Sequence, residues 1–124
     1  MRTILVVDDD PELRSIVVAI LSEPGYTVLS ASDGYEAIRV LVGRSVDLLI
    51  ADIKMPGLDG FELARQAKLM RPNLNVIYLS GHVLGLDRNG PTYGALLLKP
   101  VRAADLLGMV ECEMDRGAGT TLVR

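Results

Sequence analysis

The chain has 124 residues, of which 49% are hydrophobic and 23% charged, so it has the composition of one globular domain and not of a disordered segment. Its formal net charge of -3 argues against a general nucleic-acid-binding surface, and its single cysteine, Cys112, excludes an internal disulfide. No apolar run approaches the roughly 20 residues of a membrane-spanning helix, so we expect a cytoplasmic protein without membrane contact.

Short apolar runs alternate with stretches of helical periodicity along the whole chain. The first run stops at three consecutive acids, and Asp10 followed by Pro11 is typical of a helix start. This alternation predicts a parallel sheet with helices on both faces. The predicted strands are 2–7, 26–31, 46–51, 74–79 and 95–98, and helices are predicted to begin near residues 11, 34, 60 and 101.

Residues 80–94 contain four glycines and a proline where the alternation requires a fourth helix, so that helix is predicted to be short or irregular. The last helix is predicted over 101–115, and a frayed tail over 117–124. Three helices have apolar residues at helical spacing, and in the first these are Leu13, Ile16, Val17, Ile20 and Leu21. The residues expected to face inward are Ala37, Ile38, Leu41 and Val42 in the second helix and Ala104, Leu107, Val110 and Met114 in the last.

The third strand ends in an acid, Asp52, and is followed by the chain-breaking sequence Met-Pro-Gly at 55–57. The next helix begins after Asp59, which is a suitable N-cap. Glu62 follows three residues later, so Asp59 and Glu62 have the spacing of a capping box. Asp52 is therefore predicted to lie at the carboxyl end of a buried strand.

Polar side chains follow four of the predicted strands at the point where each strand ends. The first strand leads into Asp8 and Asp9, the third into Asp52, the fourth into Ser80 and the fifth into Lys99. In a parallel sheet these ends share one edge, where open α/β sheets place their ligands. Three carboxylates brought together repel one another unless a cation lies among them, and oxygen ligands suit Mg²⁺. A nearby hydroxyl and an ammonium group suit a phosphoryl group, and Asp52 then has the position of a nucleophile.

Each of these residues also has an ordinary structural explanation. Asp8 and Asp9 are compatible with a helix-capping cluster, Ser80 with a turn before Gly81, and Lys99 with a surface lysine before a proline. Their common position at one sheet edge favours a joint site, because it follows from a strand assignment made on hydrophobic pattern alone.

Three motifs in this order resemble the receiver domain of two-component response regulators: residues 4–10 (ILVVDDD), 52–60 (DIKMPGLDG) and 97–100 (LLKP). The resemblance covers nearly the whole chain and implies a receiver domain over 1–116 and a flexible tail over 117–124. It also implies a flavodoxin-like sheet of order 2-1-3-4-5, and a monomer or weak dimer.

The resemblance further implies a function. A histidine kinase or a histidine phosphotransfer protein would donate a phosphoryl group from phosphohistidine to Asp52, with Mg²⁺ as cofactor. Ser80 would bond the phosphoryl group through its hydroxyl, and Lys99 would pair with it. The implied metal ligands are Asp9 and Asp52 directly, Asp8 through a water, and the backbone carbonyl of Lys54. The domain would catalyse its own phosphorylation and dephosphorylation without being an enzyme on other substrates.

The chain departs from the family pattern at two places. Receivers usually carry an aromatic switch residue three positions before the lysine, where this chain has Leu96, and the segment 80–99 is shorter than usual. Tyr93 is a candidate substitute for the missing aromatic. Lys54 and His82 lie at positions that tune dephosphorylation in the family, although His82 is equally compatible with a turn facing water.

Three other functions remain open. A pseudo-receiver that only binds a partner fits the absence of an aromatic at Leu96. A phosphatase of the haloacid-dehalogenase type would need a second acid where Lys54 stands. A flavodoxin-like cofactor-binding protein would need a phosphate-binding loop after the first strand, where this chain has three acids.

Overall fold

The computed structural model describes residues 2–81 and 93–119, with side chains as far as Asp115. Its core is a five-stranded parallel sheet whose order, 2-1-3-4-5, confirms the prediction. The fold class is therefore the expected doubly wound α/β architecture. Within the described residues the elements are β1 (Thr3–Val7), α1 (Pro11–Ser22), β2 (Thr27–Ala31), α2 (Gly34–Gly43), β3 (Leu48–Asp52), α3 (Gly60–Met70), β4 (Asn75–Ser80), β5 (Ala95–Leu98) and α4 (Ala103–Gly119).

The helices cover both faces of the sheet and leave the central strands without contact with water. Strand β3, in the middle of the order, is buried along its whole length. Helices α2 and α3 pack on one face, over a cluster that includes Leu49 and Tyr78. Helices α1 and α4 pack on the other face, around Ile50 and Ile77. A strand buried on both faces needs apolar residues at every position, which is why these runs are continuous in the sequence.

The first three helices begin at aspartate caps, two of which the sequence predicted. Asp10 accepts hydrogen bonds from the backbone N–H groups of Glu12 and Leu13, at 3.0 and 3.5 Å. Asp59 accepts from the N–H of Glu62 at 2.9 Å, so its predicted capping role is confirmed. The other half of the predicted capping box, a hydrogen bond from the Asp59 N–H to the Glu62 carboxylate, is wrong. That carboxylate instead accepts hydrogen bonds from Arg65 and Gln66 on the next turn of α3.

The helix faces differ from the prediction at two positions. Val42 was expected inside but is 71% exposed, whereas Ala37 and Leu41 of the same helix are fully buried. Ala104 was also expected inside and is exposed, because the buried face of α4 is formed by Leu106, Val110 and Met114 at four-residue spacing. The other predicted member, Leu107, is partly buried against the same cluster.

The predicted bounds of the last helix need a correction. Helix α4 begins at Ala103, two residues after the predicted start, and continues to Gly119, four residues past the predicted end at residue 115. The remainder of the predicted tail, 120–124, and the central part of the predicted fourth helix, 82–92, lie outside the described residues. Within the described ranges, no helix combines the length and the apolar character needed to cross a membrane.

Candidate functional site

The strand register brings the predicted polar residues to one edge of the sheet. Val7 is paired with Ala51 across β1 and β3, so Asp8 and Asp52 follow as neighbours. Asp52 is paired with Leu79 on β4, one residue before Ser80. Ser80 is in turn paired with Leu98 on β5, and the next residue, Lys99, donates its backbone N–H to the Ser80 carbonyl at 2.8 Å.

Three of these residues form a compact acidic cluster. Carboxylate oxygens of Asp8, Asp9 and Asp52 lie within 4.8 Å of one another. Asp8 is 0% exposed and Asp52 is 5% exposed, while Asp9 is at the surface. The cluster therefore has a solvent-facing side at Asp9 and a buried side at Asp8, and it opens where the sheet edge meets water.

Lys99 supplies the positive charge that faces this cluster. Its Nζ lies 3.1 Å from Asp52 Oδ1 and 3.7 Å from Asp8 Oδ2, and 26% of its side chain is exposed. One ammonium thus faces two buried carboxylates. The site retains an excess of negative charge, which a bound cation would neutralise.

The pKa values of both buried acids are raised, mainly by their burial. Burial is the main cause that raises the pKa of Asp8, and the charges of Asp9 and Asp10 add to it; the hydrogen bond from the Asp10 backbone and the charge of Lys99 oppose it. Burial likewise raises the pKa of Asp52, and the charge of Asp8 adds to it, against the hydrogen bond and charge of Lys99. The net direction is upward for both acids, so ionisation here is costly without a further cation.

Asp8 is fixed by hydrogen bonds on three of its polar groups. Its N–H donates to the Ala31 carbonyl at 3.3 Å, its Oδ1 accepts from the Asp10 N–H at 2.9 Å, and its carbonyl accepts from Arg14 Nη1 at 2.7 Å. Oδ2 is different. It is buried, and within the described residues it has no hydrogen bond. An unsatisfied carboxylate oxygen beside two other acids matches the oxygen donor set that Mg²⁺ prefers, so the residues present fit this ion.

Ser80 and Lys54, the other two predicted site residues, differ in burial. Ser80 is 5% exposed and ends β4, one residue after Leu79, the partner of Asp52 in the register. Lys54 lies two residues after Asp52 in the loop to α3, with its side chain exposed. The structure thus brings Asp8, Asp9, Asp52, Ser80 and Lys99 together, and sets the Lys54 ammonium outside the cluster.

The loop from β3 to α3 is held close to Asp52 by a glycine. Gly60 donates its N–H to the Ile53 carbonyl at 2.8 Å, and a Cβ at this position would come within 2.4 Å of the Asp52 carbonyl oxygen. Only glycine allows this approach. Any side chain at this position would push the start of α3 away from the backbone of Asp52.

Two residues near the site were missed by sequence reasoning. Arg14, on the first turns of α1, donates to the Asp8 carbonyl; its only sequence signal is a position one helical turn after Asp10. Tyr78 is buried on β4, directly opposite Leu96 in the register. Its hydroxyl accepts from the Tyr93 N–H at 3.0 Å, and its ring centroid is 5.2 Å from that of Phe61. An aromatic side chain is thus present beside Leu96, on the neighbouring strand.

A family model described as "Response regulator receiver domain" matches residues 4–111. The chain belongs to this family. The match covers both the acidic cluster and Lys99, and the receiver domain extends through all five strands. Membership of the two-component signalling family, expected from the motifs, is therefore confirmed.

This receiver domain resembles relatives of about its own length and relatives that are much longer. It is 34% identical over 114 residues to the "Response regulator receiver protein CpdR" of Brucella abortus (strain 2308), covering 90% of this chain and 95% of that protein. It is 37% identical over 119 residues to the "Response regulator MprA" of Mycobacterium ulcerans (strain Agy99), covering 91% of this chain but 50% of that protein. The match to the "Transcriptional regulatory protein GlrR" of Escherichia coli (strain K12) covers 95% of this chain but 27% of that protein. The receiver domain thus spans half or less of several relatives.

Solved structures give the same fold. A CheY-like receiver domain protein from Methanospirillum hungatei JF-1 superposes with a TM-score of 0.88 at 28% identity, covering 97% of this chain and 98% of that one. A response regulator receiver protein from Sinorhizobium medicae WSM419 superposes with a TM-score of 0.86 at 32% identity, covering 94% and 96%.

Proposed function

We propose that this receiver domain accepts a phosphoryl group on Asp52 from a phosphohistidine, with Mg²⁺ bound at the acidic cluster. The observation that carries the proposal is the environment of the Asp52 carboxylate, which is buried at the sheet edge, 3.1 Å from the Lys99 ammonium and grouped with two further acids. The donor would be a histidine kinase or a histidine phosphotransfer protein.

The transfer is a direct displacement at phosphorus. A carboxylate oxygen of Asp52 forms the new P–O bond while the P–N bond to the donor imidazole breaks, and the imidazole leaves with its electron pair and takes a proton from water. Lys99 and Ser80 would face the oxygens of the transferred group, the first with its charge and the second with its hydroxyl. Both stand at strand ends, so their positions relative to Asp52 are set by the sheet.

The proposed ligands of Mg²⁺ are the carboxylates of Asp9 and Asp52 and the backbone carbonyl of Lys54, with Asp8 acting through an intervening water. When bound, the ion offsets the negative charge that develops on the transferred phosphoryl group. The raised pKa values of Asp8 and Asp52 support this assignment, because a site that disfavours its own ionisation gains most from a divalent cation.

We further infer that the domain removes its own phosphoryl group by hydrolysis and acts on no other substrate, and that it is a cytoplasmic monomer or weak dimer. Several relatives are named transcriptional regulatory proteins and are much longer than this chain. Any nucleic-acid contact of such a protein would then belong to its other parts, since this domain carries a net charge of -3.

Intact-protein mass spectrometry after incubation with acetyl phosphate tests the proposal. We expect the mass of one added phosphoryl group with Mg²⁺, and none in the chelated sample or in Asp52→Asn. The matched control is Asp47→Asn, an acid directly before the opposite end of β3, whose carboxylate accepts a hydrogen bond from the Thr3 N–H. No gain with acetyl phosphate or with a panel of phosphorylated histidine kinases would contradict phosphoryl acceptance and favour a module that binds partners constitutively.

A further inference from the structure

The turn between β1 and α1 carries two of the three acids of the cluster, and Arg14 holds this turn at two points. Its backbone N–H donates to the Asp10 carbonyl at 3.0 Å, and its Nη1 donates to the Asp8 carbonyl at 2.7 Å. Asp9 lies between the two residues whose carbonyls Arg14 engages. The first bond is the ordinary backbone bond at the start of α1 and would form with any residue other than proline, so the contact specific to the arginine is the one to Asp8.

The Asp9 carboxylate depends on this turn for its position. It is exposed, and within the described residues it makes no hydrogen bond of its own. Its place near Asp52 therefore follows from the backbone at Asp8 and Asp10. A side chain that restrains that backbone controls where the carboxylate of Asp9 lies relative to Asp52.

Asp8 depends on Arg14 in a second way. The residue is fully buried, so its carbonyl oxygen has no access to water and Arg14 is its described donor. A buried carbonyl that loses its donor tends to move toward a new one. Such a movement would rotate the Asp8 peptide and shift Oδ2, the oxygen without a hydrogen bond that faces the cluster.

We propose that Arg14 is a positioning residue that sets the acidic turn in the geometry that binds the divalent cation. This inference rests on the proposed function, because it assigns a role toward the Mg²⁺ of the same site. Helix α1 then does more than pack on the sheet, because the half-buried side chain of Arg14 donates a hydrogen bond to the Asp8 carbonyl directly after β1.

A role of Arg14 as a nearby positive charge and a role in positioning the turn predict opposite results when Arg14 is replaced by a neutral residue. If Arg14 acted only as a nearby positive charge, its removal would strengthen binding of a cation, since like charges repel. If it positions the turn, Arg14→Gln weakens Mg²⁺ binding in spite of the lost repulsion. By analogy with outer-shell partners of metal ligands, we expect a loss of about tenfold in affinity.

The test is isothermal titration of the unphosphorylated full chain with Mg²⁺ alone, comparing wild type, Arg14→Gln, Arg14→Lys and the matched control Arg39→Gln. Arg39 is exposed on α2. We expect Arg14→Gln to bind about tenfold more weakly, because its shorter side chain places the amide donors further from the Asp8 carbonyl. Arg14→Lys should lie between it and wild type, because the longer lysine side chain carries its N–H donors further, and Arg39→Gln should match wild type. Equal or tighter binding by Arg14→Gln would overturn the proposal.

Hydrogen exchange separates positioning from general destabilisation. The Asp10 N–H donates to Asp8 Oδ1, so it reports on the turn itself. In Arg14→Gln we expect this amide to exchange faster while amides of β3 keep their protection; faster exchange throughout the sheet would count against a positioning role. Absence of Mg²⁺ binding in the wild type would contradict the proposed function instead, so the two failures are distinguishable.

Discussion

Replacing Lys99 by methionine removes the one described cation that faces the two buried acids. At an effective dielectric constant of about 20, its separations of 3.1 Å from Asp52 and 3.7 Å from Asp8 correspond to attractions of about 5 and 4 kcal/mol. Two carboxylates no more than 4.8 Å apart repel each other by at least about 3.5 kcal/mol on the same scale. The ammonium therefore offsets much of the repulsion in the wild type.

The net effect of Lys99→Met is smaller than these Coulomb energies, because the ammonium is partly solvated and the acids can take up protons. We expect the free energy of unfolding at pH 8 without Mg²⁺ to fall by about 3 kcal/mol, as for one partner removed from a buried ion pair. The loss should be smaller at pH 5. Burial already raises the folded-state pKa of both acids above 3.8, so stability is lost as pH rises through the folded pKa, and the substitution raises that pKa further.

Urea denaturation followed by far-UV circular dichroism measures this effect, since the chain has no tryptophan to report by fluorescence. A loss of about 3 kcal/mol corresponds to a shift of the urea midpoint by about 1 to 3 M. Lys54→Met is the matched control, expected within about 0.5 kcal/mol of wild type because its ammonium is exposed. Saturating Mg²⁺ should reduce the loss in Lys99→Met. A loss that is independent of both pH and Mg²⁺ would refute the electrostatic account.

Three further substitutions test other parts of the site. Asp8→Asn should raise the free energy of unfolding at pH 7 without Mg²⁺, because it removes an acid whose net pKa shift is upward. It should also abolish the stabilisation by Mg²⁺ in thermal melts. A lower free energy of unfolding in this variant would contradict the reasoning. Tyr78→Phe should cost about 1 kcal/mol and speed hydrogen exchange at the Tyr93 amide, and unchanged exchange would exclude the hydrogen bond. Gly60→Ala should cost about 1 to 3 kcal/mol by urea denaturation and weaken Mg²⁺ binding, because its Cβ would displace the Asp52 backbone; wild-type values for both would refute the close approach.

The sheet and the acidic cluster were predictable because both follow from strand direction. Once the apolar runs are assigned to parallel strands, the residues after them must share one edge, and Asp8, Asp52 and Lys99 were placed together on that ground alone. Hydrophobic pattern determines where strands end. It does not determine how far each side chain extends or which backbone group it meets.

Helix rotation was less predictable than strand order. Successive residues of a helix are rotated by about 100°, so Val42 points well away from the buried Leu41 although both belong to one apolar stripe. Ala104 lies two residues, about 200° of rotation, before the buried Leu106. A stripe wider than the contact it makes leaves its outer members exposed, and only packing against the sheet decides which members those are.

The contacts of Arg14 and Tyr78 could not be predicted for a different reason. Each is a hydrogen bond between a side chain and a backbone group on another element, and such bonds depend on the distance between elements. The Tyr78 contact also changes the interpretation of Leu96. Its strand neighbour already fills the space beside it with a buried aromatic ring, so the sheet is packed there without an aromatic at position 96.

The most direct test of the central claim is to locate the phosphoryl group in the chain. After incubation with acetyl phosphate and Mg²⁺, borohydride reduction converts an aspartyl phosphate to homoserine, and peptide mass spectrometry identifies the position. We expect homoserine at position 52 alone, and none in the chelated sample. Modification at Asp8 or Asp9, or a stable phosphoryl group on His82, would contradict it.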